Sequence, residues 1–343
     1  MSYARVLVGN RFGSLLAELD SADVEFASWR LNNIGQCRFS IAANDAKATE
    51  EILRFGNRVL IEFENGLPNW VGLIDPARDW SNGLITIDCF GPGKILEYRI
   101  TDKGRYFDSD PAGAIFEDLI VEVNGVEDTG IVIGSIWNGG GGHSPDYHIK
   151  SVWQILTESI VKKLSTYDFD FTGSIVDGKI TIQANFYDSL GSDKTGWALI
   201  QDKNLASVKL KEQGPIINQW TVAGEGTDWG SARLMAVAED IVSINTYGLR
   251  QAAAVFGDVS ELATLEDHAA NLLAASKNPY NIYTLAALDT DPAGFSVYGI
   301  GDTISLLAPD YGFAGGTDTT IRILSREFNP KAGVCNLVVE EQF

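Results

Sequence analysis

Three Asn-Gly or Asp-Gly pairs, each set beside runs that alternate apolar and polar residues, constrain this chain more than any other feature. Asn65-Gly66 follows RVLIEFE (Arg58 to Glu64) and precedes LPNWVGLIDPARDW. Asn82-Gly83 separates the Trp80 strand from LITIDCFG, and Asp177-Gly178 divides FDFTGSIV from KITIQANF. A two-residue hairpin needs positive φ at both central positions, which Asn, Asp and Gly tolerate, and strict alternation places one face of each strand on a core. The chain is therefore built on antiparallel hairpins. A Gly count of 35 in 343 residues fits the same plan, because tight turns draw on glycine.

The order of segments divides the chain in three. Residues 1–100 read as strands: Ala4–Val8, Ser14–Leu19, Asp23–Leu31, a turn at Asn32, Asn33 and Gly35, then CRFSIA. One short helix is expected at Ala46–Leu53 with Asp45 as N-cap. Residues 101–212 mix types. Pro111 opens a helix through Val123, and the glycine-rich loop Asn138–His148 leads to a helix over Val152–Leu164 with an apolar stripe at Trp153, Leu156, Ile160, Val161 and Leu164. The Asp177-Gly178 hairpin closes that segment. Residues 213–343 return to strands at Ile216–Gly226, Ser243–Phe256, Asn281–Leu288, Thr303–Leu307, Thr320–Phe328 and Gly333–Glu341. A helix over Leu262–Ala275 interrupts them, capped by Ser260 and stopped at Asn278-Pro279. The fold class expected is a β-rich α+β protein: two antiparallel β-barrel-like modules, residues 1–100 and 213–343, flanking an α+β insert at 101–212.

Charge narrows the function. With 46 acidic and 26 basic side chains the formal net charge is −20, which repels phosphate backbones and argues against tight nucleic-acid binding. Between Gln251 and Ile321 nine acidic residues (Asp258, Glu261, Glu266, Asp267, Asp289, Asp291, Asp302, Asp310 and Asp318) face one basic residue, Lys277, a local charge of −8. Such a stretch is either a solvated face or a channel wall past which DNA slides without being gripped. Cys37, Cys89 and Cys335 are isolated, with no CxxC pair, and read as small core residues of a chain made in a reducing cytoplasm. The start MSYARVLVGNRFG lacks the features of a secretion signal, and apolar runs such as Ile131–Trp137 are too short to span a bilayer.

Catalytic and metal-binding patterns fail in turn. The loop NGGGGHSPDYH lacks the Lys-Ser/Thr of a phosphate-binding loop. His143, Asp146 and His148 within it are possible ligands whose spacing matches no named metal site, and His268 is expected on the solvated side of its helix. Glu117 with Asp118, and Glu340 with Glu341, are neighbours in sequence and so point apart. DTDPAG (Asp289 to Gly294) begins like a calcium loop but has Ile300 where the closing carboxylate belongs. No catalytic, metal or cofactor residue is assigned, and the chain is read as a non-enzyme.

Several segments carry a family resemblance. RVLVGNRFG, DVEFASWRLNNIGQCRFSIA with its Gly35-to-Phe39 strand, NRVLIEFENGLPNWVGLIDPARDW with Val71-Gly72-Leu73-Ile74, SINTYGLRQ, GIGDTISLL and the closing IRILSREFNPKAGVCNLVVEEQ resemble the tail-hub proteins of long-tailed and contractile phages. The resemblance covers both flanking segments but not the insert. It implies two related tail-tube-like barrels per chain and a homotrimer, forming a pseudo-sixfold hub ring at the tail tip. Its implied partners are the distal tail protein, the tape-measure protein and a central fibre or spike, and DNA passes through its lumen. The implied location is the virion, after assembly in the host cytoplasm. The chain ends at Phe343 after its last hairpin, so cell-wall digestion or receptor binding is expected from another subunit. Two rivals remain: a carbohydrate-binding receptor module using exposed aromatics such as Trp137, and a small hydrolase centred on His143, Asp146 and His148.

Overall fold

The computed structural model describes residues 4–101, 104–147, 149–164, 167–213, 216–226, 233–257, 259–312 and 315–342. The first module comprises β1 (Ala4–Gly9), β2 (Leu15–Glu18), β3 (Asp23–Arg30), β4 (Gln36–Ala42), β5 (Arg58–Phe63), β6 (Trp70–Ser81), β7 (Leu84–Phe90) and the short helix α1 (Gly93–Glu97). The strands pair antiparallel in the order β3-β4-β7-β6-β5-β1-β2. At the β6–β7 turn Asn82 and Gly83 have φ of 52° and 75°, the backbone that a two-residue hairpin demands. Val6, Val8, Phe39, Val59, Ile61 and Ile87 fill one core. Leu7, Leu60 and Val71, on the opposite face, belong to the core of the following segment. Covering on both sides explains why Val6–Val8 and Val59–Ile61 are unbroken apolar runs.

The helix expected at Ala46–Leu53 does not form; these residues make successive turns. Asp45 accepts from the Lys47 N–H at 2.7 Å and from Ser21 Oγ, while Asn57 Nδ2 bonds the carbonyls of Glu51 and Ile52. In so short a segment side-chain bonds to the backbone outcompete a helix whose nucleation is costly.

The first insert contains the two-residue strands β8 (Arg105–Tyr106) and β9 (Asp110–Pro111), then α2 (Ala112–Val126) and β10 (Ile131–Ile136). The two-residue strands β11 (Gly142–His143) and β12 (Asp146–Tyr147) follow, then α3 (Val152–Gln154), which runs straight into a π-helix over Ile155–Leu164. The hairpin β13 (Asp168–Val176) and β14 (Lys179–Tyr187) completes it, turning at Asp177 and Gly178 with φ of 50° and 72°. Ile115, Phe116, Leu119, Ile120 and Val123 form one stripe of α2, and Leu156 and Ile160 face them from the π-helix.

β15 (Asp193–Ile200) and β16 (Leu205–Gln213) come next, and then a second α+β unit. That unit is β17 (Gln219–Ala223), β18 (Met235–Glu239), α4 (Ile241–Tyr247), β19 (Gln251–Val255) and α5 (Leu262–Ser276). Its sheet, β18-β17-β19, packs on α5 around a small core of Val222, Ala236, Phe256, Leu265 and Ala269. The chain returns through β20 (Tyr280–Leu288), β21 (Thr303–Ala308), β22 (Thr317–Asn329) and β23 (Val334–Glu341).

Two expectations change here. Residues 193–212, read as part of the first insert, form β15 and β16, which pair with β21 and β20 of the C-terminal sheet. Gln213 faces Tyr280 across the β16–β20 pair, so the second α+β unit sits at the tip of a hairpin. Ser243–Phe256, read as one strand, is α4 followed by β19: Asp240 caps the helix by accepting from the Ser243 N–H, and Gly248 ends it at φ 77°.

The barrels are open. Among the described residues β2 along its length pairs only with β1, its first residue Leu15 also donating to the Gly178 carbonyl; β15 along its length pairs only with β21, and β16 only with β20. Instead the two modules fuse into one thirteen-stranded sheet through β22. The first part of this long strand pairs with β21, and Ser325–Phe328 then pair with Arg30–Ala27 of β3. A register shift between Ile323 and Ser325 marks the changeover, as bulges commonly do where a strand bends.

Candidate functional site

The residues singled out from sequence do not converge. His143 lies beside Tyr167, its Nε2 3.4 Å from the hydroxyl, and burial pushes its pKa down. Asp146 pairs through its backbone with Tyr106 of β8, and His148 lies outside the described residues. Among the described residues no three His, Cys, Asp or Glu side chains gather as a metal site would require. Trp137 is half-buried against Tyr167, with ring centroids 5.6 Å apart, and Gly139 packs on its indole. Among the described residues the indoles that stand in solvent are Trp80 and Trp197.

His268 is buried rather than solvated, stacked on Phe256 with centroids 4.4 Å apart. The aromatic partner lies twelve positions away, beyond the reach of a helical-wheel reading. Glu340 faces Arg322 across β22–β23 and its pKa is raised by burial, whereas Glu341 accepts from Asn281 and Thr319. Asp289 holds the Phe295 N–H at 2.8 Å, which shapes its loop. All three cysteines are free and buried, and burial drives the Cys37 and Cys89 thiols well above their usual range.

The acidic stretch divides by role. Glu261, Glu266, Asp267, Asp289, Asp291, Asp310 and Asp318 are exposed, spread over the second unit and the C-terminal module. Asp302 is buried and accepts from the N–H groups of Ser192 and Gly299, both at 2.7 Å, so it is a loop anchor. Asp258 lies outside the described residues.

What the fold does bring together is a junction of three units. Asp168 of β13 is 1% exposed; it accepts from Asn32 Nδ2 at 2.8 Å and the Leu190 N–H at 2.7 Å, and pairs with Arg322 of β22. Asn32, at φ 52°, also accepts the Phe169 N–H on its side-chain Oδ1 at 2.8 Å. One carboxylate thus ties the first module, the first insert and the C-terminal module. Two buried arginines reinforce the frame without any carboxylate. Arg58 donates to the carbonyls of Ile180 at 2.8 Å and Thr129 at 3.1 Å, and Arg326 to those of Phe295 and Tyr298. Gly130, at φ 66°, lies so close to the Arg58 guanidinium that any Cβ there would collide with it. None of these contacts was legible beforehand, since Asn32 and Asp168 lie 136 positions apart.

No protein-family model matches the sequence, and no curated protein does. Solved structures do match along nearly the whole chain. A tail protein from Neisseria meningitidis MC58 superposes with a TM-score of 0.64 at 14% identity, covering 99% of this chain and 97% of that one. Prophage tail protein gp18 from Listeria monocytogenes EGD-e gives 0.63 at 10% identity, over 98% and 94%. The E. coli c3393 protein, described as a component of the type VI secretion system with structural similarity to T4 bacteriophage tail proteins gp27 and gp5, gives 0.50 at 9% identity, over 93% and 73%. This chain has the fold of phage tail proteins.

Proposed function

We propose that the chain is a structural component of a phage-type tail, and that three copies form a pseudo-sixfold hub ring at the tail tip. The observation that carries this reading is the fusion of two β-modules, antiparallel except where β15 runs parallel to β21, into one sheet through β22. A chain holding two such modules in fixed relation presents six from three copies, which matches a threefold tip to a sixfold tube. Tail-like fold neighbours, one of them likened to gp27 and gp5, support the same assignment.

In this role the work is mechanical. The ring joins the tail tube and distal tail protein to a central fibre or spike, meets the tape-measure protein, and lets DNA pass. The exposed carboxylates of the second unit and C-terminal module give a lumen that repels phosphate if they face the axis. Light scattering of the purified protein tests the stoichiometry, with a mass three times that of the chain expected. Electron-microscopic reconstruction of the particle tests the position. Density for this chain on peripheral fibres, away from the axis, refutes the hub.

A further inference from the structure

We infer that the free edge of β16 is a docking site for an extended segment of a partner protein, added as a further strand and carrying carboxylates at alternate positions. β16 pairs with β20 from Ser207 to Gln213 without a break in register, and its other side meets no strand over that stretch among the described residues. Within the same limits, the backbone of Ser207–Lys211 makes no hydrogen bond outside that ladder. An edge strand turns alternate N–H and C=O groups outward, and these template a further strand. The other open edges offer less. β2 has four residues, and Leu15 already gives its N–H to Gly178; β15 loses its register with β21 between Asp193 and Ala198.

The side chains define what fits. Alternation divides β16 into two rows. Val208 and Leu210 lie on the core face, opposite Leu285 and Tyr283, yet Leu210 stays half-buried because the core ends at this strand. Ser207, Lys209 and Lys211 are exposed on the other face. Neither lysine has a carboxylate beside it in the sheet. The Lys209 rank runs through Thr284, Val338 and Ser325 to Arg30, and the carboxylate in the Lys211 rank, Glu340, lies two strands away and faces Arg322. A strand laid along β16 brings its side chains to about 4.5–5.5 Å from those opposite. Carboxylates on one face of that strand meet Lys209 and Lys211, and apolar residues on its other face extend the cover over Leu210. The occupant therefore alternates acidic and apolar residues.

The lysines also decide what is refused. Two β16 edges brought together set lysine against lysine, a like-charge contact that destabilises a strand pair. The edge is thus guarded against a second copy of itself while it stays open to a strand of opposite charge.

This inference stands independently of the hub reading. The test is titration of the full-length protein with a fluorescein-labelled octapeptide alternating valine and glutamate, at low salt, followed by anisotropy and by hydrogen exchange of the protein's backbone amides. Saturable binding is expected, with slowed exchange confined to β16. Binding should weaken about fivefold or more for the glutamine version of the peptide and for the Lys209→Gln/Lys211→Gln protein, because two surface ion pairs are lost. It should vanish for a peptide N-methylated at alternate amides, which cannot complete the ladder. Absence of saturable binding, equal binding of the glutamine or N-methylated peptide, or slowed exchange elsewhere than β16 overturns the proposal. So does protection of β16 that rises with protein concentration alone, which would mean that the edge pairs with a second copy. The peptide comparisons use the unaltered protein and do not depend on any variant folding.

Discussion

The two α+β units are attached to the same sheet in opposite ways. The first insert shares its core with the module beneath it: Leu7, Leu60 and Val71 pack among the side chains of α2 and β14. The second has a private core of five buried residues and joins the sheet at a hairpin tip, where Gln213 faces Tyr280. Its outer side leaves Val237 and Val242 60% and 75% exposed. An insertion can therefore be thermodynamically part of its host or merely tethered to it, and which of the two applies depends on whose core it completes.

That contrast can be broken most forcefully by excision. Replacing residues 214–279 with an Asn-Gly turn should leave a folded protein whose Tm falls by no more than about 5 °C, since the β16–β20 hairpin closes on itself. Removing residues 105–187 should abolish soluble expression, because Leu7, Leu60 and Val71 lose their cover. Soluble yield and thermal melts of the two deletions decide the matter. Equal behaviour would erase the distinction.

Single substitutions sharpen it. Arg58→Ala strands the buried carbonyls of Ile180 and Thr129 and should cost about 3 kcal/mol in chemical denaturation, with no rescue by lysine, which cannot reach both acceptors from a planar fork. Gly130→Ala places a Cβ against the same guanidinium at a left-handed backbone position, for an expected loss of about 1–2 kcal/mol.

The smallest effect concerns pH. The folded pKa of Asp170 is raised, so its contribution to stability is fully present below the unfolded pKa and is lost as pH rises through the folded one. Asp170→Asn should therefore stabilise the protein at neutral pH, and the gain should vanish below the ordinary carboxylate range. Denaturation midpoints of both proteins across that interval provide the check. A gain that persists in acid would mean that the substitution acts through packing.

The hairpins were legible in the sequence because their signals are local. Asn82-Gly83 and Asp177-Gly178 dictate the backbone they adopt, and α2 and α5 follow from apolar residues spaced within a few turns. Ser260 was expected to cap α5, yet Glu261 stands at the N-cap and gives no side-chain bond, so the periodic stripe alone defined that helix. Ala46–Leu53 misled because a helical spacing says nothing about Asp45 and Asn57 turning their bonds inward. The barrel expectation failed at a single choice of neighbour: β3 pairs with β22, 295 positions away at Ser325 and Arg30, and nothing in either strand names its partner. The junction residues Asn32, Asp168 and Arg322 stayed hidden for the same reason. Their pairing is a property of the assembled sheet.

β22 belongs to both modules at once, and this governs how the molecule can bend. A hinge between two domains usually lies in a linker, where a few torsions absorb the motion. Here the connection is a thirteen-residue strand with hydrogen-bonded neighbours on both sides. Rotation of one module against the other must twist that strand at its bulge between Ile323 and Ser325 or strip the four rungs to β3. Force applied at one end of the chain is thus delivered to the other through backbone rather than through side chains.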